Sequence, residues 1–275
     1  MGLNQVLIKI VNGGLQPVFQ VGLRSACAIL PILLYALLTK KDLSLTNGSF
    51  WPGVFAGLFF AGEFFLLFTA LDHTTVGRAS IFFYTMPFWT AIMAHFLIRD
   101  ERLDAVKIIG LSIAFCGVVC AFVFRTGQEG EHALLGDMLC IAAAILWAGI
   151  VIIARTTAFS KSSPEMQLLY QLVVSALVIL PIAPLFGGLV REFTPLIGVL
   201  FAFQVLVVVC IGFLTWFWVL SVYPASKMAS FSFLSPILGV LFGWIILEES
   251  INFSIAVALV MVSLGVYLVN QSRPG

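Results

Sequence analysis

The chain has 275 residues, of which 61% are hydrophobic and 10% charged, and its formal net charge is +1. A soluble domain carries roughly 25% charged and 45–50% apolar residues, so this composition argues against a water-soluble fold. No Lys/Arg cluster exceeds the pair Lys40 and Lys41, which leaves neither a groove for nucleic acid nor a polybasic segment for lipid.

Most of the apolar residues fall in long, nearly uncharged blocks, and a helix needs about 20 residues to cross about 30 Å of hydrocarbon at 1.5 Å per residue. In chain order the blocks run Gly2–Val11, Pro17–Leu38, Pro52–Leu71, Val76–Ile98 and Ala105–Phe124. After the polar stretch RTGQEGEH come Leu134–Ala154, Met166–Leu189, Leu196–Tyr223, Ala225–Leu247 and Phe253–Val269. The expected fold class is an all-α integral membrane protein of ten transmembrane helices. Its halves are residues 1–124 and 134–270, joined by a linker at 125–133.

The halves read as copies. GRASIFFYTMPFWTAIMAHFLIRDERL lies over SKMASFSFLSPILGVLFGWIILEESI, which sets Arg78 on Lys227, Pro87 on Pro236 and, after a one-residue gap, Glu101 on Glu249. Gly117 then falls on Gly265, Pro17 and Gln20 on Pro164 and Gln167, and Phe64 and Phe68 on Phe213 and Phe217. Five helices per copy is an odd number, so the second copy inserts upside down. Inverted repeats of this kind build a site near the bilayer midplane where the halves meet.

Lys and Arg concentrate in cytoplasmic loops. With Lys9, Arg24, Arg78 and Lys227 set aside as lying inside or at the mouths of helices, one side carries Lys40, Lys41, Arg99, Arg102, Lys107, Arg155, Lys161 and Arg273. The other side carries Arg125 and Arg191. This orients the connections after the second, fourth and sixth spans, and the C-terminus, toward the cytoplasm.

Lys9 late in the first span, LRSACAILP with Arg24 in the second, and the endings Glu101-Arg-Leu and Glu249-Ser-Ile form a pattern that runs the length of the chain. It resembles the EamA branch of the drug/metabolite transporter superfamily. The resemblance implies two inverted five-helix repeats around a cavity lined mainly by spans 1, 3, 4, 6, 8 and 9, and a secondary transporter in the plasma membrane. It also implies a small-molecule substrate, such as an amino acid or related metabolite, with export the common direction among similar members.

Glu63 lies mid-span in FFAGEFFLLF, where burying an ionisable group is costly and usually serves a cavity or bundle interior. It is the first candidate for a functional residue, and the alternative is a structural carboxylate paired to Arg24 or Lys9. Without a cationic partner, burial favours its neutral form and lets it carry a proton in coupling. Arg24 can bind a substrate carboxylate or instead tie helices together or snorkel. Lys9 and Lys227, near helix ends, are open to the same two readings. Asn4, Gln5, Tyr84, Trp147, Tyr170 and Gln171 offer the hydrogen-bonding groups that a cavity needs in an otherwise apolar wall.

The 26 Phe, 6 Trp and 5 Tyr carry little weight toward an aromatic substrate, because Phe is ordinary packing material and Trp51, Trp216 and Trp218 suit interfacial belts. Gly239–Gly243 is a GxxxG pair expected to pack within the bundle. Cys27, Cys116, Cys120, Cys140 and Cys210 read as small buried packing residues, and His73, His95 and His132 are scattered, so neither a metal nor a cofactor is expected. Asp137 is placed at a helix start, where it favours the dipole. An intramembrane enzyme would need clustered catalytic groups, and a receptor or scaffold would be a closed bundle without a central polar cavity.

The first span is short. Laying MGLNQVLIK over WAGIVIIAR aligns Met1 with Trp147 and leaves Leu134–Leu146 without a counterpart. Gly2–Val11 covers only about 15 Å of a layer roughly 30 Å thick. The expectation is that the opening half of the first helix is missing, through a mis-assigned start or a shortened chain; a helix capped by its neighbours is the alternative.

Overall fold

The structure is a computed structural model that describes residues 2–45, 47–98, 103–124, 132–215, 219 and 234–271. Met1, Glu101, Phe217 and Lys227, which the alignment of the two halves uses, lie outside the described residues. So do Trp216, Trp218 and the loop arginines Arg99, Arg102, Arg125 and Arg273.

Among the described residues there are helices and no strand. They are α1 (Gly2–Asn12), α2 (Pro17–Leu38), α3 (Phe50–His73), α4 (Val76–Phe83), α5 (Met86–Leu97), α6 (Ala105–Val123) and α7 (Ala133–Thr156). They continue with α8 (Pro164–Ile182), α9 (Pro195–Phe203), α10 (Leu234–Leu247) and α11 (Phe253–Gln271). A 3₁₀ turn, Ala183–Phe186, extends α8, and a π-helix, Gln204–Phe213, extends α9.

Among the described residues seven stretches are long and apolar enough to cross a membrane: Pro17–Leu38, Phe50–His73, Val76–Leu97, Ala105–Val123, Ala133–Thr156, Pro164–Phe186 and Pro195–Phe213. Leu234–Leu247 and Phe253–Val269 are shorter apolar helices.

Local chemistry sets the helix starts. In α2, α8 and α9 a proline stands at the first turn, where its missing N–H costs nothing. Side chains cap the ends: Gln16 Oε1 accepts from Phe19 N at 2.7 Å, Ser163 Oγ from Met166 N at 3.3 Å and Asp104 Oδ1 from Lys107 N at 2.7 Å.

The block read as one helix over Val76–Ile98 is instead two. The α-helix is interrupted at Tyr84 and Thr85, because Pro87 has no N–H to give the Phe83 carbonyl one turn back and its ring crowds that carbonyl. Thr85 Oγ1 donates to Phe82 O at 2.6 Å across the break.

The chain forms two compact units, each drawing on both sides of the 125–133 linker. The first comprises Met1–Val6, Thr69–Ala148 and Tyr223–Gly275. The second comprises Leu7–Phe68 and Gly149–Val222.

In the first unit α6 packs on α11 through small residues, Gly110, Ala114 and Gly117 meeting Gly265 and Ala258. Gly239 and Gly243 of α10 face α4, the first against Ser80 and the second against Val76 and Glu249. The GxxxG pair therefore packs within the bundle, as small residues do where backbones approach closely. Glu249 caps α4 from outside, accepting from Val76 N at 2.8 Å and Gly77 N at 3.0 Å.

A Cβ added at Gly265 would stand 2.5 Å from Gly110 O and 2.7 Å from Ala114 N, backbone atoms that cannot swing aside. Gly265→Val is expected to lower stability by about 1–3 kcal/mol, the usual cost of overpacking. Leu264→Val on the exposed neighbour should be nearly silent. Thermal unfolding of both variants in detergent checks this.

In the second unit α2 packs on α8, with Gly22 against Leu180 and Ser25 Oγ donating to Ser175 Oγ at 3.1 Å. Gly53 and Gly57 bring α3 against Tyr170 and Val174 of α8. The turn after α1 is tied to the segment before α9 by Gln16 N to Leu189 O at 3.0 Å and Arg191 N to Gly14 O at 2.9 Å.

Candidate functional site

Gln20 and Arg24 stand one turn apart on α2 and so share a face. Both are buried. Phe64 and Phe68, one turn apart on α3, supply the opposing wall. The Arg24 guanidinium lies 4.2 Å from the Phe64 ring centroid and 4.7 Å from that of Phe68, inside the range of a cation–π contact.

Glu63 is fully buried, and its charge and that of Arg24 act on each other. Among the described residues, however, no hydrogen bond reaches the three guanidinium nitrogens of Arg24 or either carboxylate oxygen of Glu63.

The same neighbourhood holds other half-used groups. Gln20 Nε2 donates to Gln204 Oε1 at 3.1 Å, while Gln20 Oε1 and Gln204 Nε2 have no partner among the described residues. Asn12 Nδ2 donates to Phe68 O at 2.9 Å and leaves its Oδ1 unpartnered among them. Gln204 opens the π-helix, a feature frequent at functional sites. Phe60, Phe64 and Phe213 surround this polar nest with ring centroids 4.6–6.5 Å apart.

Buried polar groups are normally hydrogen-bonded, and each exception calls for an explanation. A guanidinium and a carboxylate held close but both open are suited to a ligand bearing the complementary pair of charges.

The first unit holds the contrasting case. Arg78 of α4 and Asp137 of α7 are both fully buried and form a bidentate pair, with Nη2 2.6 Å from Oδ2 and Nε 3.2 Å from each carboxylate oxygen. Arg78 Nη2 also donates to Ala121 O at 3.1 Å, and Thr74 Oγ1 to Asp137 Oδ1 at 2.9 Å. This network is saturated and braces α4, α6 and α7.

Sequence reasoning missed it by setting Arg78 aside as a helix-mouth residue and reading Asp137 as a dipole partner at a helix start. The available signal was one opposite charge in each of two apolar blocks, neither of which can be buried alone.

The other sequence candidates are dispersed. Gln5 Oε1 accepts from the Ser80 hydroxyl in the first unit, beside Gly239, and Asn4 is buried with its Oδ1 unpartnered among the described residues. Tyr84 is buried next to Phe83, whose ring centroid lies 6.4 Å from that of Trp147. In the second unit Tyr170 belongs to an apolar cluster with Ala56, Phe159 and Met166, its hydroxyl 3.4 Å from Ser49 Oγ. Gln171 is buried on the same helix, and Lys9 is half-buried in the last turn of α1.

The cysteine reading needs correction, since Cys27 and Cys116 are exposed on their helices. An outward face of a membrane helix meets hydrocarbon, so a small apolar thiol is as acceptable there as in a core.

Comparison with known proteins identifies the scaffold. The model of the EamA-like transporter family matches residues 1–123 and 134–271. A Bacillus subtilis protein named uncharacterized transporter YoaV is 24% identical over 269 residues, covering 97% of this chain and 91% of its own. An Escherichia coli protein named probable amino-acid metabolite efflux pump is 26% identical over 279 residues, covering 97% and 90%. One solved crystal structure superimposes with a TM-score of 0.69 at 20% identity over 97% of this chain and 94% of that one, a likeness of fold. The family and the names of these relatives indicate transporters rather than enzymes. The chain therefore belongs to the EamA-like transporter family, as a multi-pass protein of the cell membrane.

Proposed function

We propose that this chain is a secondary transporter that exports a zwitterionic metabolite of the amino-acid class by alternating access of two inverted five-helix repeats. The observation that carries the reading is the buried Arg24 and Glu63, close enough to feel each other's charge yet each without a hydrogen bond among the described residues. Arg24 offers a planar fork that matches a carboxylate with two parallel N–H donors. Glu63 accepts an ammonium, or a proton once the ligand has left. Gln20, Gln204 and Asn12 add a donor and two acceptors within an aromatic wall. The name borne by the Escherichia coli relative supports the amino-acid class and the direction. Asn4, Gln5, Tyr84, Trp147, Tyr170 and Gln171 remain candidates for the substrate route.

The test is reconstitution in liposomes with labelled amino acids and dipeptides, with and without a pH gradient. Glu63→Gln is expected to fold and to cut transport about tenfold or more, the loss of one charge-assisted hydrogen bond. It should also abolish the response to the gradient. Unchanged flux with unchanged pH response would remove Glu63 from the mechanism.

A further inference from the structure

A second carboxylate in the same unit stands open. Glu165 lies buried in the first turn of α8. It does not cap the helix, a role taken by Ser163. Its Oε1 lies 3.3 Å from Lys41 Nζ, and its Oε2 has no hydrogen-bond partner among the described residues.

Both residues line a pocket of about 560 Å³, within the size range of small-molecule sites. Most of the remaining wall is apolar, with Ile32, Cys210, Ile211 and Leu214, and Thr215 adds a hydroxyl. Along α2 its lining runs from Pro31 to Tyr35, which begins seven residues beyond Arg24 and so about 10 Å further along the helix.

Lys41 has three donors and a half-exposed side chain, so pairing with Glu165 leaves it capacity for an anion. The pocket thus presents one acceptor for an ammonium, one donor for an anion and an apolar wall, with a pair of charges that sums to zero. A zwitterion with an ammonium close to its anion matches this set, whereas a simple cation or anion meets a like charge. Ile211 and Tyr35 are 61% and 44% exposed, so the apolar wall continues onto the surface that the bilayer covers.

We propose that this pocket holds the headgroup of an aminophospholipid, the ammonium on Glu165, the phosphate on Lys41 and an acyl chain along Ile211 and Leu214. The charge pattern of the loops puts this end of α2 on the cytoplasmic side, so the lipid belongs to that leaflet.

Full-length protein in detergent, titrated with palmitoyl-oleoyl phosphatidylethanolamine and followed by native mass spectrometry, tests the site. Phosphatidylcholine, which has no N–H to donate, and phosphatidylglycerol, which has no cation, serve as comparisons. One phosphatidylethanolamine should be retained under conditions that strip the other two. Glu165→Gln and, separately, Ile211→Trp should each weaken that retention about tenfold or more.

Equal retention of all three lipids, or retention unchanged in both variants, would overturn the proposal. So would binding of free leucine or phosphoethanolamine that depends on Glu165 while phosphatidylethanolamine is not retained, since the zwitterion would then come from solution. Ile211→Trp fills the pocket from an exposed position without touching a buried charge, so it carries the test if Glu165→Gln does not fold.

Discussion

Asp137→Ala is expected to abolish most of the folded protein, because it strands the Arg78 guanidinium in the interior with its carboxylate partner removed. Arg78 has no solvent exposure, and its nitrogens are positioned for Asp137 and the Ala121 carbonyl. Breaking a buried pair on one side costs about 3–5 kcal/mol, a large share of the stability of a typical domain. Removing both charges is a different perturbation, and the Arg78→Met/Asp137→Leu double variant should recover much of the loss, since well-packed apolar replacements are often neutral. Fluorescence-detected size exclusion and unfolding midpoints of wild type, both single variants and the double variant give the coupling energy directly. Single variants within about 1 kcal/mol of wild type would show that the brace contributes no more than a surface ion pair.

Arg24 should behave in the opposite way, with transport lost and the fold kept. Arg24→Met alone leaves Glu63 buried without its cation, so the informative protein is Arg24→Met/Glu63→Leu, in which neither charge remains. It should fold at near wild-type yield, and its transport of amino acids should fall at least about 100-fold, because two charge-assisted contacts at about 1.5–3 kcal/mol each are gone. Arg24→Lys should restore little, since an ammonium lacks the planar fork that grips a carboxylate at two points. A folded double variant that still transports would make the Arg24–Glu63 pair a structural element and would move the search for the substrate to other residues.

Much of the scaffold is legible in the sequence because membrane thickness acts on chain length. The block Pro17–Leu38 coincides with α2, and Leu134–Ala154 lies within α7, because a proline start or a polar break is a local event. Glu63 and Arg24 are conspicuous for a related reason, each being a charge in an apolar run.

Pairing is what a linear reading misses. Arg78 and Asp137 are 59 positions apart, and Glu249 reaches back 173 positions to cap α4. Gln20 and Gln204 look ordinary until two helices bring them together. Tyr170 is as hard to place from the letters, since its packing against Ala56, Phe159 and Met166 and its hydroxyl's approach to Ser49 join distant positions. The division at Tyr84 and Thr85 is legible in Pro87, whose ring crowds the carbonyl of Phe83 one turn back.

The π-helix that begins at Gln204 bears on which side chains the end of its span displays. Hydrocarbon offers no water to satisfy a broken backbone, so an irregularity there has to keep its own amides bonded. A π turn does so while holding about one residue more than an α turn, and over ten residues the side chains that follow lag by roughly half a revolution. Phe213 comes at the end of that lag, whereas Phe64 lies within an unbroken α-helix. The last turns of this span therefore present a different set of side chains to their surroundings than an unbroken α-helix of the same sequence would.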